Sequence, residues 1–298
     1  MKRLILCAAS AVVSCSSLVV VAAASASAGT PGTATMVSAP LMRAAKAPGA
    51  TGPLCPSPGP CPSASTNWSG YAQTSGPHTF TGVTDTFVVP TVSAVSAGRQ
   101  FAADWVGIGG FSDPTLVQAG FQTVVKKKDK KSTVTYGAWT EILPQAEDPL
   151  SLTISAGDVV TVTVQETAKN MWTMTVDDTT TGLSGVRTVP YRSKGLSVEA
   201  IHERPCIKAP CNAAGDLADL AQTSDVTFDP GSFSEAPPGA APENEALLTT
   251  DLPDTTLWDV VMTANDGNTV IATPSDPNAA ADGFTVADGA SPPSAPTV

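Results

Sequence analysis

The chain has 298 residues and a net charge of −11, from 27 acidic and 16 basic side chains. A surface so acidic repels nucleic acid and anionic lipid. Its 26 Pro and 24 Gly, set among abundant Thr, Val and Ser, exclude a helical bundle and favour a single β domain with processed or flexible ends.

Residues 1–28 read as a signal peptide: Lys2 and Arg3, then an apolar run from Leu4 to Ala24, then Ser-Ala-Ser-Ala at the cleavage end. The leader predicts secretion, with no membrane attachment once it is removed. Residues 29–63, rich in Ala, Pro, Gly and Ser without a sustained period, read as a linker or propeptide. Outside the leader the cysteines are Cys55, Cys61, Cys206 and Cys211. An even number in an exported chain implies disulfides, and the short separations favour the local loops Cys55 to Cys61 and Cys206 to Cys211. Zinc is disfavoured because neither pair has the tight ligand spacing and the two histidines add no pattern.

Residues 64–288 carry the β pattern. Runs at Phe80 to Val89, Phe101 to Ile108, Leu116 to Val125, Thr133 to Leu143, Val159 to Glu166, Met171 to Val176, Arg187 to Val189, Val198 to Glu203 and Val226 to Phe228 are separated by turn residues. Lys126 to Lys131, broken by Asp129, reads as a solvated hairpin tip. Pro230 to Glu245 reads as a Pro-rich acidic loop. Final strands follow at Thr256 to Ala264, Thr269 to Ala272 and Gly283 to Val286, and residues 289–298 read as a disordered tail. The expected fold is all-β, a two-sheet antiparallel sandwich.

Strand alternation sorts the side chains by face. Leu116, Gln118, Gly120 and Gln122 share one, with Val117, Ala119 and Phe121 behind; Trp139 and Glu141 share another; Glu199, Ile201 and Glu203 share a face from which His202 is turned away. Taken singly, a strand Gln is ordinarily structural, Glu203 beside Arg204 reads as half of a surface ion pair, and the tryptophans read as core. Taken together, Trp105, Gln118, Trp139, Glu141 and Glu203 would furnish a groove on a free sheet face.

The motifs Asn67-Trp68-Ser69-Gly70, Phe87-Val88-Val89-Pro90, Trp105-Val106-Gly107-Ile108, Leu116-Val117-Gln118-Ala119-Gly120, Trp139-Thr140-Glu141 and Glu199-Ala200-Ile201-His202-Glu203-Arg204-Pro205 resemble those of the glutamic peptidases, or eqolisins, in order and spacing. That resemblance implies a concanavalin-like jelly roll and a hydrolase of protein or peptide substrates that needs no metal and no cofactor. It makes Gln118 and Glu203 the catalytic pair, with Trp68, Trp105, Trp139 and Glu141 lining or supporting the cleft. The chain departs from the family pattern at Gly109 and Gln122, where Asp is expected, and at Ala200, where an aromatic is usual. We expect a monomer.

The chemistry fits such a pair. A carboxylate with an ordinary pKa of about 4.3 still accepts a proton in mild acid, where His is already charged. Glu203 would activate water, and the amide of Gln118 would hold that water and donate to the oxyanion. No Gly-x-Ser-x-Gly or His-Glu-x-x-His motif offers a rival. The alternatives are a carbohydrate-binding or glycan-cleaving jelly roll, using Glu203 with Glu199 or Glu141, and a secreted family member that has lost activity.

Overall fold

The computed structural model describes residue 55 and residues 59–208, 211, 214–235 and 244–297. The leader and all but the end of the linker fall outside them. The described chain is built from β1 (Cys61–Ser65), β2 (Trp68–Thr74), β3 (Gly82–Val88), β4 (Val92–Ser93), β5 (Gly98–Gly109), β6 (Leu116–Lys128), β7 (Lys131–Ile142), β8 (Asp148–Pro149), β9 (Val159–Ala168) and β10 (Met171–Asp178). These continue as β11 (Leu183–Pro190), β12 (Ser197–Glu203), β13 (Gln222–Thr223), β14 (Val226–Phe228), β15 (Ser232–Ser234), β16 (Asn244–Ala246), β17 (Thr256–Thr263), β18 (Val270–Pro274) and β19 (Phe284–Asp288). The only helical turn among the described residues is a 3-10 turn at Ala214–Asp216.

Pairing runs β8, β7, β6, β5, β12, β2, β17, β1 across one sheet. A second run goes β11, β10, β9, β3, and β3 then meets β14 and β15. The pairings of β18 with β17 and β19, and of β19 with β14, connect the two runs. The expected strands all form. β1 is a correction on two counts: it begins inside the segment read as linker, and it pairs with β17 in parallel. A second correction concerns the Pro-rich loop, whose ends pair as β15 and β16; its middle lies outside the described residues.

The core lies between these layers and follows the period of two. Val106, Ile108, Val117, Ala119, Phe121, Val198 and Ala200 from the first sheet meet Val83, Phe87, Val160, Val162, Val164, Trp172, Met174 and Val176 from the second. Phe87 contacts Phe121 and Phe228 edge-on, with centroids 5.7 and 4.7 Å apart. These pairs add to the apolar burial that drives folding. Disulfides join Cys55 to Cys61, at the start of β1, and Cys206 to Cys211, just after β12, as the spacing predicts. The basic tip is the hairpin between β6 and β7, where Lys128 opposes Lys131 and Asp129 takes a positive φ of 56°.

Candidate active site

On the face of the first sheet that is turned away from this core, side chains line up in three rows, because directly opposed residues share a face. The first row reads Trp258, Ala72, Glu199, Gly107, Gln118, Glu141 across β17, β2, β12, β5, β6 and β7. The second reads Val260, Gly70, Ile201, Trp105, Gly120, Trp139, and the third Trp68, Glu203, Ala103, Gln122, Gly137. All six residues expected at the site are therefore on one face. Gln118 and Glu203 are separated by two strands and by two rows, with Trp105 at the position between them.

Glycines make this arrangement possible. A Cβ on Gly107 would sit 3.0 Å from the Gln118 Cβ and 3.1 Å from both Leu116 and the Trp105 ring. A Cβ on Gly120 would collide with the Asp104 carbonyl and lie 2.6 Å from the Trp105 Cβ. The large indole of Trp105 thus fits only because its neighbour across β6 has no side chain.

The polar groups hold each other in two linked pairs. Gln118 donates from Nε2 to Glu141 Oε2 at 2.6 Å, which leaves Gln118 Oε1 buried without a hydrogen-bond partner. Trp105 donates from Nε1 to Glu203 Oε2 at 2.8 Å, and Trp68 packs edge-on against Trp105 with centroids 4.9 Å apart. Glu203 is not in an ion pair with Arg204. The Arg204 guanidinium donates to the Thr66 carbonyl at 3.2 and 2.8 Å and to Asn265 Oδ1 at 2.6 Å.

The expected free face is covered. Gln118 and Glu203 are both 0% exposed, and Trp68, Trp105, Trp139 and Glu141 are at most 2% exposed. Phe111, from the loop after β5, and Leu143, just beyond β7, pack into one apolar cluster with the three tryptophans, Leu116, Ile201 and Val260. Phe111 also lies against Trp258, with ring centroids 5.5 Å apart. Neither Phe111 nor Trp258 carried a sequence signal for this role, since both read as ordinary apolar residues outside the motifs.

The departure at Gly109 has a steric reason: its φ is +95°, and a Cβ there would strike the Thr115 carbonyl. Glu199 is fully buried on the same face as the pair, and desolvation raises its pKa well above the ordinary range despite nearby hydrogen-bond donors at Ser197, Phe111 and Gly109. On the opposite face His202 donates from Nδ1 to Asp104 Oδ1 at 2.7 Å. Ser69 is directly opposite His202, yet Ser69 Oγ and His202 Nε2 each lack a hydrogen-bond partner. That row therefore contains no bonded nucleophile and base, and all three residues are buried between the sheets.

The Peptidase A4 family model matches residues 66–272. Aspergillopepsin-2 of Aspergillus niger is 33% identical over 183 residues, which is 55% of this chain and 62% of that protein. Scytalidopepsin B of Scytalidium lignicola is 33% identical over 118 residues, 39% of this chain and 42% of that protein. The chain thus spans less than two thirds of the length of these relatives. Among solved structures, scytalido-glutamic peptidase with a transition state analog inhibitor is similar at a TM-score of 0.56 and 24% identity, covering 75% of this chain and 98% of that one. SCP-B, described as a member of the eqolisin family in complex with the tripeptide Ala-Ile-His, gives 0.54 and 22%, with the same coverage. At those identities the likeness speaks to the sandwich fold. With a family model matched over most of its length, the chain belongs to the Peptidase A4 family, the glutamic peptidases.

Proposed function

We propose that the chain is a secreted acid endopeptidase that hydrolyses protein and peptide substrates with Gln118 and Glu203, without a metal. The observation that carries this reading is the fixed amide. Its Nε2 is tied to Glu141 while its Oε1 has no partner in a fully buried setting. A buried amide oxygen takes a hydrogen bond when one is offered, and a water molecule offers one.

In the proposed reaction, the Glu203 carboxylate, oriented by Trp105, takes a proton from that water as its oxygen attacks the scissile carbonyl carbon. The second N–H of Gln118 donates to the tetrahedral oxyanion. The C–N bond then breaks, and Glu203 returns the proton to the leaving amine, which regenerates the carboxylate. Since the face is buried, a peptide reaches the pair only when the cover formed by Phe111 and Leu143 withdraws. The disulfides and the leader support export to an oxidising compartment.

The test is hydrolysis of acid-denatured protein by the purified chain, with and without a chelator. Gln118→Ala and Glu203→Gln should each lose about a hundredfold or more in kcat while keeping the β-sheet circular dichroism spectrum. Full activity in either variant overturns the assignment. A glycan-cleaving site would tolerate Gln118→Glu, which the proposed amide chemistry does not.

A further inference from the structure

The face that carries Gln118 and Glu203 continues beyond the buried site. On β6, Leu116, Gln118, Gly120 and Gln122 are followed on the same face by Val124, Lys126 and Lys128, since alternate residues of a strand point the same way. Register puts Arg99 of β5 and Thr133 of β7 opposite Lys126, and Lys131 opposite Lys128. Four cationic side chains, Arg99, Lys126, Lys128 and Lys131, therefore extend the site face, whereas Lys127 is turned to the other one. Gln122 is 8% exposed, Val124 is half-buried, and Lys126, Lys128, Lys131, Thr133, Thr135 and Arg99 are exposed. The face thus opens to solvent as it leaves the pair. Ala218 packs on Phe101, which leaves the open path over β6 and β7.

We propose that this basic strip is an extension of the substrate cleft that recognises acidic side chains of a peptide several residues from the bond that is cut. The inference rests on the peptidase reading and names a substrate class for it. Lys126 lies six positions beyond Gly120, whose row falls between those of Gln118 and Glu203. The strip therefore begins roughly 20 Å from the pair. An extended peptide lying along β6 covers that distance with about six residues.

Charge selects the occupant. The chain carries −11 overall, so at long range it repels a polyanion. A segment carried onto the face by the rest of a bound peptide comes within the ~8 Å over which the strip acts at physiological ionic strength. None of the four cations is in an ion pair among the described residues, where the pairs are Arg187 with Asp148, His202 with Asp104 and Lys208 with Asp216. Asp129 and Lys130 occupy the turn beyond the strip, and Asp219 lies beside Phe101, whose N–H donates to its carbonyl at 3.0 Å. Glu147 accepts from Gln122 Nε2 at 3.4 Å and marks the inner limit, so an acidic substrate side chain is favoured beyond Gln122 and not beside it. Lys and Arg stay cationic throughout the acid range, whereas a substrate Glu with an ordinary pKa of about 4.3 ionises within it. The preference therefore appears as pH rises through about 4.

Two fluorogenic peptides test this, identical around the scissile bond and carrying either three Glu or three Gln about six residues away, with that tail placed on each side in turn. At about pH 5 and low salt the Glu peptide should give a kcat/KM roughly 5- to 20-fold higher than the Gln peptide, through KM. The ratio should fall toward one at about pH 3 and in about 0.5 M salt. Lys126→Gln/Lys131→Gln should bring the Glu peptide down to the level of the Gln peptide. Lys127→Gln/Lys130→Gln, which removes the same charge from the other face and the turn, should keep most of the preference. Equal kcat/KM for the two peptides in the wild type, or equal loss in the two double variants, overturns the proposal. Binding read without turnover separates this result from the peptidase reading. By fluorescence anisotropy the Glu peptide should bind Glu203→Gln more tightly than the Gln peptide does, and equal binding overturns the strip even if nothing is cleaved. A wild type that binds the Glu peptide but cleaves neither defeats the peptidase reading alone. Binding of dextran sulfate without binding of the Glu peptide assigns the strip to a non-peptide polyanion and overturns the proposal.

Discussion

At the residue scale the site depends on side chains that are missing as much as on those present. Gly107 separates Glu199 from Gln118, and its missing Cβ spares contacts of 3.0 to 3.1 Å with Gln118, Leu116 and Trp105. Its φ lies outside the left-handed region, so Gly107→Ala tests crowding rather than backbone strain. We expect a loss of about 1–3 kcal/mol in stability from overpacking and a fall in kcat of roughly 10- to 100-fold as the amide is displaced. Thermal melts and steady-state kinetics on the same preparation check both, and unchanged kcat with an unchanged melt would falsify the crowding account. Gln118 was legible in the sequence because an amide among Val, Ala and Gly is an anomaly that alternation turns into a face. Its hydrogen bond to Glu141 was not, since strand alternation gives a face but not the register that makes residues 118 and 141 direct partners.

At the scale of elements the strands were readable wherever one face is apolar. β9 and β10 alternate so cleanly that their expected and observed starts coincide. β1 and β15 were missed because each is short and pairs with a strand distant in sequence, β17 and β3; the three-residue β16, which pairs with β15, was hidden within the segment read as a Pro-rich loop. The covered state of the site face was also unreadable, because it depends on where the loops after β5 and β7 fold. β12 shows how an element with seven buried residues is secured. Its C-terminal end is tied down by Arg204, whose backbone N–H reaches the Asn67 carbonyl at 2.9 Å and whose guanidinium binds Thr66 and Asn265. Lysine cannot reproduce that forked geometry. Arg204→Lys should therefore cost about 1–3 kcal/mol and lower kcat by loosening Glu203 next to it. A denaturant titration showing no shift in midpoint would remove Arg204 from the support of the site.

At the scale of the whole molecule, acid groups are buried in a way that favours low pH. Burial raises Asp85 and Glu199 well above the ordinary carboxylate range, with Asp229 and Asp282 adding to the effect on Asp85. Burial and then Asp276 raise Asp259 to about 6. Asp229 and Asp288 move the same way, again chiefly through burial. Each of these carboxyls holds its proton more tightly folded than unfolded. Its stabilisation is complete below the unfolded pKa and is lost as pH rises to the folded value. For Asp259, raised from 3.8 to about 6, that loss is about 3 kcal/mol. His202 adds to the trend from the other charge type. Burial lowers its pKa, but the charge and hydrogen bond of Asp104, helped by Asp288 and Glu203, more than reverse this, so its contribution is present below the unfolded pKa and lost as pH rises through the folded one. The exposed Asp266, held down to about 2 by bonds from Thr269 and Asn268, acts oppositely: its contribution is present above the unfolded pKa and lost as pH falls through 2. Maximum stability should therefore lie near pH 4, at the low end of the range usual for globular proteins. Differential scanning calorimetry from pH 2 to 8 should show Tm falling steadily above pH 4. Asp259→Asn, which removes one ionisation without removing volume, should flatten that fall between pH 4 and 6, and a melting profile that instead rises toward neutrality would contradict the assignment of these acids as protonated in the folded state.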